Sequence, residues 1–172
     1  FWIFPLLAVL AAYIAFLTDP QGRWQELILL LPVGLLGWTL LEYVLHRFVF
    51  HTHLRWLNAF HAHHHAVPRD PDTILVRPSY ALMISALLFA AMVAILGRPF
   101  PAAAILTGVW AGFLYYESVH YRVHLSGSVS GLIARQRRRH FLHHFTNNRT
   151  CFGVTSPLWD YVLRTGKSGS GW

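Results

Sequence analysis

Histidine is the residue type in this sequence that could do chemistry. Twelve of its 172 residues are histidine, beside only seven acids. Seven histidines fall between residues 46 and 65, five between 120 and 144, and none elsewhere. Their spacings are those of metal ligands. His46 and His51 form H-x4-H, and His61, His64 and His65 form H-x2-H-H. His120 and His124 form H-x3-H, and His140, His143 and His144 repeat H-x2-H-H. Residues three and four apart share a face of an α-helix, so each of the last three sets can converge. His46 and His51 stand about 140° apart on an ideal α-helix. That predicts that they straddle a helix end or serve two different metals.

Ten imidazoles can fill two metal ions with about five ligands each, whereas a structural zinc closes at four and usually recruits thiolates. Five nitrogens leave a position open on a metal that prefers six, as the binding of dioxygen or water requires. Imidazole suits iron, zinc, copper and nickel alike. An open dinuclear site without thiolate favours iron and oxygen chemistry, with zinc able to replace the iron during purification. His53 and His63 fall outside the spacings and are expected behind the ligands or in solvent. Glu42, one turn before His46, and Glu117, three residues before His120, are candidate acceptors for ligand N–H groups. Asp70 and Asp72 lie in a Pro-rich loop, where turn roles are expected.

These residues need elements that bring two distant clusters together. The chain is 55% hydrophobic and 12% charged, with a mean hydropathy of +0.40. A soluble domain carries about 25% charged residues. Disorder is excluded by the aromatic and aliphatic content, and a disulfide scaffold by the single cysteine, Cys151. Apolar stretches over 1–17, 25–45, 79–97 and 100–117 are each near the ~20 residues that span a bilayer. Short turns pair them into two helical hairpins, each followed by a histidine cluster. Of fourteen basic residues only Arg23 and Arg98 lie in those turns. The positive-inside rule therefore puts the histidine regions, 46–78 and 118–165, in the cytoplasm.

The expected architecture is a single all-α integral membrane domain over 1–172: four transmembrane helices with a cytoplasmic helical cap holding a histidine-rich dimetal site. The net charge of +7 then reports topology and contact with anionic lipid. No nucleic-acid partner is expected. Arg122, Arg149 and the basic run 135–139 are candidates to hold a lipid head group.

In this order the motifs resemble the fatty acid hydroxylase and sterol desaturase superfamily, and within it the fatty-acid 2-hydroxylases of sphingolipid metabolism. His46-Arg-Phe-Val-Phe-His51 resembles the first box of that family. His61-Ala-His-His-His65, followed by Pro68, Asp70 and Pro71, resembles the second box and its P-x-D-P tail. Tyr115 to His124 resembles Y-D-x-x-H-Y-x-x-H. His140-Phe-Leu-His143-His144, then Asn147 and Phe152 to Asp160, resembles the last box and its F-G-V-T-S-x-x-W-D continuation. Departures are Leu125 after His124, Thr73 and Arg77 where Arg and Pro are common, and Glu117 as the acid of the Y-D position.

The resemblance covers about residues 25–165. It implies two iron ions on the ten histidines, O2 as co-substrate and hydroxylation of a lipid acyl chain, most specifically at carbon 2. It adds Asn147 to Glu42 and Glu117 as candidate partners of the ligands. With no cytochrome b5 segment in the chain, it implies a separate electron donor, cytochrome b5-like or ferredoxin-like. Rival readings are a carotenoid or sterol hydroxylase or desaturase and, in another class, a membrane protein that binds zinc without redox chemistry. The P-x-D-P tail and G-V-T-S-x-x-W-D ending favour the acyl-lipid branch. Spans bare of polar ligands disfavour a zinc pathway.

Overall fold

The computed structural model describes residues 24–166. The expected first span, 1–17, and the turn after it lie outside the described residues. All regular structure among the described residues is helical: α1 (Trp24–Val44), a π turn (Leu45–Phe50), α2 (Arg55–Ala66), α3 (Pro71–Ile74), α4 (Pro78–Leu96), α5 (Pro99–Leu125), α6 (Gly131–Phe145) and α7 (Leu158–Val162). The chain divides into two compact units, Phe1–Trp38 with Val76–Tyr115, and Thr39–Leu75 with Tyr116–Trp172.

The first unit holds the start of α1, all of α4 and the first part of α5. Two segments, Gln25–Phe50 and Pro71–Leu96, are long and apolar enough to cross a membrane. They carry apolar side chains outward: Leu29 is 72% exposed and Ile95 81%, with Ile28, Val33, Met83 and Leu87 also exposed. A helix apolar all round belongs in a core or in lipid, and these faces are not in a core. Pro78 opens α4, Gly97 ends it and Pro99 opens α5. α1 and α5 cross backbone to backbone at Gly34 and Gly108. A Cβ on Gly34 would lie 2.0 Å from the Ile105 carbonyl oxygen, and one on Gly108 2.3 Å from that of Leu31. Phe113 stacks edge-on to both Trp38, at 5.2 Å, and Trp110, at 5.3 Å. Trp38 and Trp110 are both buried in this packing.

The second unit contains every histidine. It combines the end of α1, the π turn, α2, α3, the end of α5, α6 and α7. Val119, Val123 and Val154 form its small apolar core, with Tyr116 and Ile133 packed against them. Helix α5 runs on to Leu125, past the expected span end at 117. The basic run behaves differently from the lipid-facing patch that its charge suggested. The Arg137 guanidinium donates to the carbonyls of Arg122, Val123, Ser126 and Gly127, capping the C-terminal end of α5. Arg139 is buried and pairs with Asp160 at 2.7 Å. Arg135 and Arg138 are exposed.

Candidate metal centre

The H-x4-H box is on one face after all. Residues 45–50 form a π-helix, in which each N–H reaches back five residues. The His51 N–H donates to the His46 carbonyl at 3.3 Å, closing that wider turn. The two rings therefore lie 5.2 Å apart and join a single group. The alternative of two different metals for this pair is corrected by that geometry: the α-helical period does not apply there.

The first group is His46, His51, His61, His65 and His143, whose nearest ring nitrogens all lie within 4.8 Å of one another. The second contains His64, His120, His124 and His140 within the same limit. His144 joins it, with Nε2 at 3.0 Å from Nε2 of His140 and its ring 4.7 Å from that of His64. Each H-x2-H-H box is shared between the groups. Helix α2 sends His61 and His65, one turn apart, to the first and His64 to the second. Helix α6 does the reverse, sending His143 to the first and His140 and His144 to the second. Stacking of His65 on His144, at 4.1 Å, links the two. His53 is exposed, and His63 bonds Asp70 at 3.1 Å outside both groups. Asp70 also caps α3 by accepting from the Asp72 N–H, a turn role as expected.

Protonation follows from the partners. A carbonyl oxygen only accepts, so Nδ1 carries the hydrogen wherever it meets one. His46 donates from Nδ1 to Phe152 O at 2.6 Å, His143 to Thr150 O at 2.8 Å and His120 to Ile74 O at 2.9 Å. Their Nε2 atoms then present lone pairs, each about 3 Å from another Nε2: His46 to His61, His143 to His51 and His120 to His64. Burial, reinforced by the neighbouring imidazoles, keeps the rings neutral. It pushes His65 and His120 down to about 4, His124 and His143 to about 3, and His64 to about 2. His61, His140 and His144 are also held well below the ordinary imidazole value. Neutral rings with converging lone pairs fit a cation and fit little else. Neither group includes a carboxylate or thiolate, so every donor that either group offers is an imidazole nitrogen.

The expected supporting residues fare unevenly. Glu42 is buried, but its carboxylate accepts from the N–H groups of Val154 and Thr155 and from the Thr155 hydroxyl, not from an imidazole. Glu117 is fully buried on α5. Asn147 is exposed and forms the turn after α6, accepting from the Arg149 N–H. It meets His143 only through Thr150, whose N–H and hydroxyl both return to the Asn147 carbonyl. Arg122 and Arg149 are exposed. Missed altogether were the backbone acceptors at Ile74, Thr150 and Phe152. A carbonyl has no side-chain signature, although the F-G-V-T-S-x-x-W-D continuation marks the segment that carries one of them. Aromatic rings close the groups: Phe152 lies 5.5 Å from His143 and 5.7 Å from both His46 and His51, and Tyr116 stacks on His120 at 5.3 Å.

The family model for fatty acid hydroxylase matches residues 31–165. The chain belongs to the fatty acid hydroxylase family. Within it, the chain is 32% identical over 172 residues to dihydroceramide fatty acyl 2-hydroxylase FAH2 of Arabidopsis thaliana, covering 95% of this chain and 72% of that protein. It is 34% identical over 146 residues to FAH1 of the same plant, covering 81% of this chain and 61% of that one. A solved structure described as full-length scs7p, with only its hydroxylase domain visible, matches with a TM-score of 0.85. The identity is 26%, over 99% of this chain and 67% of that one. The hydroxylase fold thus extends over nearly all of this chain, while the chain spans 61% to 72% of the two plant relatives.

Proposed function

We propose that this protein hydroxylates the acyl chain of a membrane lipid at carbon 2, using O2 and two metal ions, with iron as the active metal. The observation that carries the reading is the convergence of ten imidazoles, from four separate boxes, into two groups. The family and the names of the plant relatives supply the substrate class. His46, His51, His61, His65 and His143 would hold one ion, and His64, His120, His124, His140 and His144 the other. Two such ions, when bound, would supply activation of O2 and removal of a hydrogen atom from an unactivated C–H bond.

The chain's own residues do the rest. The Phe152, Ile74 and Thr150 carbonyls accept from Nδ1 of His46, His120 and His143 and hold these rings in the tautomer that leaves Nε2 free to coordinate. Phe50 and Phe152 on the first group and Tyr116 on the second cover the rings with apolar surface, which excludes water and side reactions. In this reading the histidine groups lie on the cytoplasmic side of four spans, where a cytochrome b5-like or ferredoxin-like donor would deliver electrons; the distribution of basic residues supports it. The exposed side chains of Arg122 and Arg149 meet the polar head group of the lipid. The test is lipid mass spectrometry of cells expressing the protein or its His143→Ala variant. A 2-hydroxylated lipid present with the first and lost with the second is the expected result. Identical lipid profiles would reject the proposal.

A further inference from the structure

The segment Thr150–Thr155 is fixed more tightly than any loop requires. Five successive N–H groups are taken up. Cys151 donates to Thr165 O, Phe152 and Gly153 to the two oxygens of Asp160, and Val154 and Thr155 to Glu42. Asp160 is fully buried and also accepts from Arg139, at 2.7 Å, and from the Thr165 hydroxyl, at 2.8 Å. Cys151, fully buried, has a φ of 57°. A non-glycine residue keeps that left-handed conformation only where its surroundings impose it. Gly153 admits no side chain, because a Cβ would lie 2.0 Å from Ser156 O and 3.1 Å from Asp160.

The carbonyls on either side of Cys151, those of Thr150 and Phe152, are the ones that accept from His143 and His46. Both belong to the first group. The second group lacks an equivalent. Only His120 reaches a carbonyl, while the buried Nδ1 atoms of His64, His124, His140 and His144 have no hydrogen-bond partner among the described residues.

We propose that Glu42 and Asp160 are positioning residues for the first metal alone, acting through this clamped segment on His46 and His143. The inference rests on the two-metal reading above. Removing either carboxylate frees the N–H groups it holds and lets the Phe152 and Thr150 carbonyls drift. Ligand rings then lose the orientation that outer partners give, an effect of about 10- to 100-fold in metal affinity. The second group, held by α2, α5 and α6, is spared.

The test uses the full chain in detergent, stripped with a chelator and titrated with cobalt(II) alone. Bound metal is counted by elemental analysis and followed by visible absorption. The unsubstituted protein binds two ions. Asp160→Asn and Glu42→Gln each bind one as before and the other at least tenfold more weakly. The ion that stays is assigned to the second group by its loss on adding His124→Ala. Ile133→Ala, in the core of the same unit, lowers the melting temperature and leaves both affinities alone. Thr155→Val, which removes only the hydroxyl held by Glu42, gives a smaller loss confined to the same ion. It decides the matter if the carboxylate variants do not fold. Two unchanged ions in these variants, or equal weakening of both, would overturn the positioning role. An unsubstituted protein that binds no cobalt would instead overturn the metal reading itself.

Discussion

At the scale of single residues, the protonation of the clustered histidines sets how the protein meets acid. Burial comes first among the causes that lower these groups, and repulsion between neighbouring imidazolium charges adds to it. An unfolded histidine takes up a proton near pH 6.5, whereas in the fold His65 and His120 wait until about 4 and His124 and His143 until about 3. Between those limits the unfolded chain binds more protons than the folded one, so stability falls as pH falls. The contribution is complete above about pH 6.5 and drains away from there toward pH 4 and below. The chelated protein is therefore expected to melt at a clearly lower temperature at pH 5.0 than at pH 7.5. Bound metal sharpens the dependence, since each proton displaces a ligand lone pair. Equal melting temperatures at the two values, in the chelated form, would show that the rings are not buried as neutral groups.

At the scale of elements, the close crossing of α1 and α5 has a direct consequence. Gly108→Ala puts a methyl group 2.3 Å from a backbone carbonyl oxygen, so one helix must move. Overpacking of this kind costs about 1–3 kcal/mol. A lower melting temperature in detergent, with both metal affinities retained in the folded fraction, is the expected outcome; no change would mean that the helices do not cross there. The sequence made some of these elements readable and hid others. Proline and glycine punctuation located the end of α4 and the start of α5, at Gly97 and Pro99, because those residues act on their own backbone. The expected span ended at 117, where the charge of Glu117 closes the apolar stretch, while the helix itself carries on through His120 and His124 to Leu125. The π turn was hidden because a 3.6-residue period was applied to a spacing of five. The four histidine boxes were legible, since ligand chemistry needs that residue type at helical intervals. Their division between two groups was not, because it depends on how α2 and α6 pack. Charge alone could not distinguish Arg137 and Arg139, which bind carbonyls and a buried carboxylate, from an arginine that faces lipid.

At the scale of the whole molecule, the remaining question is which side of the bilayer each end of the spans faces. The outward apolar side chains of α1 and α4 favour a lipid surround, because exposing them to water costs about 25 cal/mol for every Å². Within such a surround the basic residues decide orientation, since lysine and arginine are retained on the cytoplasmic side. Arg98 lies in the turn between α4 and α5, 3.4 Å from Glu26, an exposed pair of small energetic weight. Arg135, on α6 with the second histidine cluster, is exposed as well. Each can be replaced by cysteine at low cost, and the native Cys151 is too deeply buried to react in the folded protein. In intact cells a membrane-impermeant maleimide is expected to label Arg98→Cys and to leave Arg135→Cys untouched until the membrane is permeabilised. That outcome sets the histidine groups toward the compartment that holds soluble reductants. Labelling of Arg135→Cys alone in intact cells would reverse the assignment and require the electron donor to act from the other face, and labelling of both would show that no membrane separates the two positions.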